Sequence, residues 1–208
     1  MQTARMTGII VAVIGALTLG APVLAAQNTP SHAHPGMHAM QSPAALIKAE
    51  RQAMQPFADM AGIWRGPAHM TLRSGKQHTI TQTERVGPFL GGSVMVMEGR
   101  GYEADGRVSF NALGVISYAP MRKAYTMRAY AEGHAGDFTL KPTADGFAWT
   151  IKAGPVTMNY TATIKNGTWH EVGTRTLPNG KSVKFFEMTL HRTGSTDWPA
   201  AGAVPFKS

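Results

Sequence analysis

Short turns at regular intervals limit the folds available to this chain more than any other feature of its sequence. Between Ile63 and Arg192, runs rich in Val, Thr, Tyr, Phe and Met alternate with nine clusters of turn-forming residues. Turns this short join antiparallel neighbours, because a parallel pair needs a crossover of about a dozen residues or more. The pattern therefore predicts ten consecutive antiparallel strands. The clusters lie at residues 74–76, 87–92, 103–107, 119–123, 132–137, 143–146, 153–155, 165–168 and 178–181.

The two outer strands of such a meander would leave two rows of backbone groups unpaired. Exposed edges of this kind invite pairing with other chains. Closure of the sheet into an up-and-down barrel removes both edges. We therefore predict an all-β fold, a ten-stranded antiparallel up-and-down barrel over residues 60–193. An irregular tail at residues 194–208 is expected to follow it.

A short N-terminal helix is predicted ahead of the barrel, over residues 42–59. Ser42 is a good N-cap, and Pro43 suits the first helical position, where its missing N–H costs nothing. Pro56 is expected to end or kink the helix near Gln55, because it can neither donate the helical hydrogen bond nor fit against the preceding turn.

The first 26 residues have the pattern of a cleavable signal peptide. Arg5 precedes an apolar run that ends in small residues, with cleavage expected near Ala25 or Ala26. A membrane anchor is the alternative, but the run is short for a span and is interrupted. We therefore expect a periplasmic or secreted protein with no stable membrane span after cleavage. The interrupting residues are Gly15, Gly20 and Pro22.

Composition and motifs exclude several functional classes. The chain has 20 Lys and Arg against 12 Asp and Glu, a formal charge of +8, but the basic residues are scattered. A nucleic-acid interface would cluster them on one face, so we expect no nucleic-acid partner. The absence of cysteine excludes disulfides and thiol chemistry. No hydrolase nucleophile motif or nucleotide-binding loop is present, so an enzyme is not expected; acid–base catalysis inside the barrel remains an alternative.

A linker is predicted at residues 27–41, where Pro, His and Gly are frequent and no hydrophobic period is seen. Its imidazole and thioether groups suit copper, and imidazole also suits zinc. A periplasmic metal-handling protein is therefore a second functional alternative, although the simpler interpretation is a solvated linker without metal. The candidate ligands are His32, His34, Met37, His38 and Met40.

One hairpin can be assigned residue by residue. Asn166-Gly167 is a strong signal for a type I′ turn. It places Ala162 opposite Glu171, and directly opposed residues share a face of the sheet. The face that contains them is largely apolar and must point inward. The inward set is Val156, Met158, Tyr160, Ala162, Ile164, Trp169, Glu171, Arg175 and Leu177.

The ends of the barrel sequence predict how it closes. Trp64 lies on the apolar face of the first strand, and Gly62 and Gly66 leave room for a close backbone approach. In a closed meander the first and last strands are neighbours. Arg192 can then lie across the indole of Trp64 as a cation–π contact, worth about 0.5–2 kcal/mol.

Four motifs in order resemble an uncharacterised bacterial family of lipocalin-like domains in the calycin superfamily. They are "GIWRG" at 62–66, "TERVGPFLGG" at 83–92, "GVISYAP" at 114–120 and "KFFEMTLHR" at 184–192, the last containing the Lys-x-x-Glu strand. The resemblance covers residues 60–193 and implies a lipocalin/fatty-acid-binding-like barrel, but no particular ligand. Ala119 departs from the pattern, since family members often carry Asp there.

Polar residues on the inward face suggest a ligand-binding interior. Tyr160, Glu171 and Arg175 would orient a small, mostly apolar or amphipathic molecule with a polar or anionic end. The alternative is that Glu171 and Arg175 form an ion pair in a filled interior. Arg128 and Tyr130 are further candidates, although the opposite face of their strand is more apolar.

Other titratable residues fit structural roles better. Glu84 and Arg85 alternate, so only one can point inward, where a structural contact is expected. A haem ligand would have to come from His170 or His191, which the hairpin register and strand parity put on the outer face. No cofactor is therefore expected.

Overall fold

The structure is a computed structural model that describes residues 42–72, 74–200 and Val204. The predicted signal peptide at 1–26 and the predicted linker at 27–41 lie outside these residues. So do the five candidate metal ligands of that linker, His32, His34, Met37, His38 and Met40.

The chain enters the barrel through helix α1, Pro43–Ala53, and a 3₁₀ segment, Gln55–Met60. The Ser42 hydroxyl caps α1 by accepting a hydrogen bond from the Ala45 N–H at 3.3 Å. The 3₁₀ segment buries Phe57 and Met60 almost completely. These two side chains close one end of the barrel, as expected where an apolar face meets the mouth of a sheet.

Ten strands form a closed antiparallel barrel in which every strand pairs with its neighbours in sequence, and β1 also pairs with β10. The predicted fold class is confirmed. Of the helices in the described part of the chain, none is long and apolar enough to span a membrane. The strands are β1 Gly62–Thr71, β2 Gln77–Phe89, β3 Val94–Tyr102, β4 Val108–Ala119, β5 Ala124–Ala131, β6 His134–Thr143, β7 Gly146–Ala153, β8 Val156–Lys165, β9 Thr168–Thr176 and β10 Ser182–Gly194.

The hairpin of β8 and β9 has the predicted register. Lys165 pairs with Thr168, and Ala162 pairs with Glu171. Asn166 and Gly167 both have positive φ, 53° and 71°, as a type I′ turn requires. The register confirms that the apolar set of these strands points inward together with Glu171.

The seam between β1 and β10 also follows the prediction. Trp64 pairs with Arg192, whose guanidinium carbon lies 5.9 Å from the centroid of the indole ring. A Cβ at Gly66 would lie 2.0 Å from the Thr189 carbonyl oxygen, so no larger residue fits there. Gly62 adopts a φ of 145°, which other residues avoid.

Aromatic side chains pack the closed end. The Trp64 and Trp169 rings meet edge to face, 5.9 Å between centroids, and Phe147 meets Trp169 in the same way. Each of the three is at most 2% exposed. The indole N–H of Trp64 donates to the Met60 carbonyl at 2.8 Å, which ties the 3₁₀ segment to this cluster.

The segment after β10 lies against the outer face of β2. The Arg85 guanidinium sits over the ring of Trp198, 4.5 Å from its centroid. A Cβ at Gly87 would lie 1.9 Å from the Trp198 carbonyl oxygen, so this glycine permits the contact. Trp198 and Pro199 of this segment therefore cover part of the outside of the barrel.

Candidate functional site

Glu171 is the central polar residue of the interior. It projects inward from β9 and is 5% exposed. One carboxylate oxygen accepts a hydrogen bond from the Trp149 indole N–H at 2.9 Å, and the other accepts one from Trp169 at 3.3 Å. Burial raises the pKa of Glu171, and the two indole hydrogen bonds oppose that rise.

Arg175 shares the inward face of β9 but makes no ion pair with Glu171. The two residues are four positions apart, about 13 Å along an extended strand. No ion pair of the described residues contains either side chain. The alternative of an ion pair that holds the barrel wall is therefore wrong. The Nε of Arg175 is buried and has no hydrogen-bond partner among the described residues.

Tyr160 lies beside Glu171 on the neighbouring strand β8. Its ring stacks on Trp149, with centroids 4.1 Å apart and planes within 10° of parallel. Burial, and then the negative charge of Glu171, raise the pKa of the phenol well above its usual range. Tyr160, Trp149 and Glu171 thus form one contiguous aromatic and acidic group.

A second inward acid, Glu84, projects from β2 opposite Trp64. The side-chain amide of Gln82 donates a hydrogen bond to one Glu84 oxygen at 2.7 Å. Burial raises the pKa of Glu84 to about 8, against the lowering effect of the Gln82 hydrogen bond. The charges of Glu171 and Glu98 contribute to this raised pKa. The charge of Glu171 therefore affects the pKa of Glu84 across the interior.

Gln82, Glu84 and Trp149 were not among the predicted site residues, although a sequence signal existed for each. A hairpin centred on Ser74 pairs Trp64 with Glu84, which places Glu84 on the inward face. The Gly154-Pro155 turn likewise pairs Trp149 with Tyr160. The alternation of residues along a strand shows which side chains share a face. A known register is also needed to decide which face points inward, so alternation alone does not orient these positions.

One wall of the interior carries very small side chains. Gly101 and Gly99 of β3 are opposed in register to Gln82 and Glu84, and glycine or alanine recurs at some inward positions of β4, β5 and β6. Larger side chains lie over some of these glycines. A Cβ at Gly99 would lie 2.7 Å from a Glu84 carboxylate oxygen, and one at Gly136 would lie 2.8 Å from the Phe138 ring. The small inward residues are Gly99, Gly101, Ala112, Gly114, Ala129, Ala131 and Gly136.

Arg128 and Tyr130 lie on the outer face, so their inclusion in an interior site is corrected. Arg128 pairs with Asp137 at 2.8 Å and lies over the Tyr130 ring at 5.6 Å. Tyr130 is 46% exposed. The inward positions of β5 are instead Tyr125, Met127, Ala129 and Ala131, because the more apolar face turns to the interior.

The remaining titratable candidates also lie outside the barrel. Arg85 forms an ion pair with Glu98 on the outer surface, so Glu84 is the inward member of its pair. His170 contacts Glu187 at 3.1 Å, and His191 is exposed.

The clefts formed by the described residues include two on the outside of the molecule. One, of about 290 Å³, lies beside the closed end between Asp59 and Asp145, and the other, of about 420 Å³, lies between Tyr130 and Trp198. Neither cleft is lined by Glu84 or Glu171. The acidic and aromatic group described above is therefore a separate, interior feature.

Comparisons with known proteins identify the fold. No protein-family model and no curated protein matches the chain. Among solved structures, Rv2717c from M. tuberculosis aligns over 67% of this chain and 96% of its own, with a TM-score of 0.52 and 13% identity. The S-type phycobiliprotein lyase CPES from Guillardia theta aligns over 72% of this chain and 98% of its own, with a TM-score of 0.49 and 12% identity.

A third structure aligns less well. It is a protein of unknown function from the DUF3598 family of Nostoc punctiforme, with a TM-score of 0.40 and 12% identity over 64% of this chain and 48% of its own. At these identities a structural likeness carries information about the fold alone. By its fold, this chain is a closed ten-stranded antiparallel β-barrel similar to that of Rv2717c.

Proposed function

We propose that the protein binds a small, mostly apolar molecule inside the barrel and holds the molecule's polar group with Glu171, Glu84 and Tyr160. The observation that carries the proposal is the buried carboxyl group of Glu171, held in place by two indole N–H groups. Ligand sites of this kind are mostly apolar and contain a few placed polar groups.

The cost of these acids supports a binding role over a purely structural one. Burial in an apolar interior disfavours the ionised form of a carboxyl group. A buried carboxyl group therefore lowers the stability of the folded protein unless it is paired. Glu84 carries this cost most clearly, since one hydrogen bond from Gln82 is the only side-chain hydrogen bond it accepts from the described residues. Keeping two acids there is understandable if they contact something that enters the barrel.

The small-residue wall supports space for that molecule. Glycine and alanine on β3 to β6 face Trp149, Tyr160 and Glu171 on β7 to β9. Trp149 and Glu84 are partly accessible although both point inward. Barrels of about this size either fill their interior with side chains or hold one small ligand.

Thermal unfolding with candidate ligands tests this function. We expect at least one member of a panel of fatty acids, isoprenoids and haem to raise the melting temperature, since a ligand that binds only the folded state stabilises it. Glu171→Gln should reduce the shift, whereas Glu132→Gln, the same change at an exposed turn residue, should not. Native mass spectrometry of the purified protein would detect a retained molecule. No shift and no retained mass would reject a binding function.

Export is the second part of the proposal, supported by the signal-peptide pattern of residues 1–26. Expression of the full chain in a Gram-negative host should deliver a shortened protein to the periplasm. Mass spectrometry of the periplasmic fraction should then find an N-terminus near Ala26. A full-length chain retained in the cytoplasm would contradict export, without bearing on ligand binding.

A further inference from the structure

We infer that the polar group of the ligand is a cation, a protonated amine or another basic nitrogen carried on a flat apolar body, seated between Glu84 and Glu171. This inference rests on the proposed function and narrows it, because the sequence left a neutral or anionic group equally open.

Neither interior acid forms an ion pair with a cation of the described residues, although the chain has cations in excess. The protein carries 20 Lys and Arg against 12 Asp and Glu. In the described residues, six acidic side chains form ion pairs, and neither Glu84 nor Glu171 is among them. The six are Glu98, Glu103, Asp105, Asp137, Asp145 and Glu187.

One oxygen of Glu84 also lacks a partner. Its Oε1 accepts the hydrogen bond from Gln82, but Oε2 accepts none from the described residues. Gly99 lies directly beneath this carboxylate, so no side chain of β3 occupies the space next to it. Glu84 thus offers a free acceptor on the interior side, within the electrostatic range of Glu171.

Apart from Arg192 and Arg175, the inward residues packed around the two acids are neutral. Arg192 on β10 lies over Trp64, and its Nε donates to the Gly194 carbonyl at 3.4 Å at the closed end. Arg175 on β9 lies about 13 Å further along the strand from Glu171. On the outer face of β3, Glu98 is neutralised by two arginines. The neutral inward neighbours are Trp64, Gln82, Gly99, Trp149, Tyr160, Trp169 and Met188.

Aromatic rings at the site also favour a cation. Trp149 and Trp169 hold Glu171 through their N–H groups, and Tyr160 stacks on Trp149. Aromatic faces attract ammonium and other cations, more strongly where water is excluded. An anionic group at the same place would instead be repelled by the negative faces of these rings. A flat apolar body would find the Trp149 and Tyr160 rings beside it.

Binding of a cation here must be linked to proton release. With no cation nearby, burial keeps Glu84 protonated at neutral pH, since its pKa is about 8. A bound ammonium would favour the ionised form, so ligand binding at pH 7 should expel protons from the acid pair. A neutral or anionic ligand would expel none.

Isothermal titration calorimetry with three probes that share one ring system distinguishes a cationic from a neutral or an anionic polar group. They are 2-naphthylmethylamine, 2-naphthalenemethanol and 2-naphthoate. We expect the amine to bind at least tenfold more tightly than the other two. Titrations at pH 7 in buffers of different ionisation enthalpy should show proton release for the amine alone. Glu84→Gln and Glu171→Gln should each weaken amine binding about tenfold and change alcohol binding less than threefold.

The outcomes distinguish this inference from the proposed function. If the alcohol or the naphthoate binds as tightly as the amine, the cation is rejected and the binding function stands. Amine binding that both glutamine variants leave unchanged, or that releases no protons, also overturns the inference. If none of the three binds, the inference is rejected, and the panel of larger ligands then decides the binding function separately. Glu132→Gln controls for the loss of one negative charge, and the proton-release measurement needs only the unmodified protein.

Discussion

Arg192 at the end of the last strand lies over the indole of Trp64 at the start of the first strand, and the two residues are register partners. The same indole donates a hydrogen bond to Met60, which belongs to the segment that covers the barrel end. One pair of residues thus joins the two ends of the sheet to its cover. Substitutions of these two residues therefore test how the barrel is closed.

Removing the indole should cost much more stability than removing the guanidinium. Trp64→Phe loses a buried hydrogen bond and leaves a cavity at a position that is 1% exposed, so we expect a loss of about 2–4 kcal/mol. Arg192→Gln should cost about 0.5–1 kcal/mol, since the contact is near solvent. Urea unfolding of both variants measures the two losses. Equal losses would show that Trp64 is not the anchor of the closed end.

Glycine at position 66 should be essential to the seam between β1 and β10. A Cβ there would meet the Thr189 carbonyl oxygen at 2.0 Å, and backbone cannot move aside as a flexible side chain can. Gly66→Ala is expected to cost about 3 kcal/mol or to prevent folding. Gly194→Ala on the same sheet is the matched control, since a Cβ there meets nothing within 4 Å. Similar melting temperatures for the two variants would contradict this packing.

Stability should fall as the pH rises from about 4.5 through 8. The unfolded chain releases the Glu84 proton near pH 4.5, whereas the folded protein keeps it to about pH 8, so the folded state binds more protons in this window. The titration of Glu84 alone should cost at most about 1.4 kcal/mol per pH unit. The raised pKa of Glu171 acts in the same direction.

Glu84→Gln should flatten this pH dependence, because an amide does not titrate. The variant is expected to gain stability relative to the unmodified protein at pH 9 and to match it near pH 4. Melting temperatures at pH 4, 6.5 and 9 measure the effect. Parallel curves for the two proteins would mean that Glu84 titrates as an ordinary exposed carboxyl group.

Glu171 should be needed to hold its two indole partners. Glu171→Leu keeps the volume but leaves the N–H groups of Trp149 and Trp169 without acceptors, each costing about 1–3 kcal/mol. The fluorescence of these tryptophans should change, and urea unfolding should show the loss of stability. A gain in stability would show instead that the cost of burying the acid exceeds the value of its hydrogen bonds.

Strand order and inward faces followed from local patterns. The turn residues Asn166 and Gly167 define a register by themselves, since a two-residue turn allows one pairing, and that register puts Tyr160, Glu171 and Arg175 on the inward face. Trp64 and Arg192 could be paired because closure of an antiparallel meander makes the first and last strands neighbours.

The partners of the inward polar groups depended on tertiary structure. Glu171 and Arg175 share a face, yet the acid bonds to Trp149 and Trp169, which the β7–β8–β9 packing brings within reach. Strand parity says which way a side chain points, but curvature of the closed barrel decides what it meets across the interior. Arg128 could not be oriented with certainty from alternation either, because its outward position follows from the register of β4, β5 and β6 together.

The sequence by itself determined the number of strands, their antiparallel order and the residues that close the barrel, because turns and alternation are local properties of the chain. The three-dimensional structure decided which acids share the interior and that neither forms an ion pair with a described Lys or Arg. Glu84 and Glu171 lie far apart in sequence on strands separated by β1 and β10. Their shared electrostatic environment exists only once the sheet has curved into a barrel.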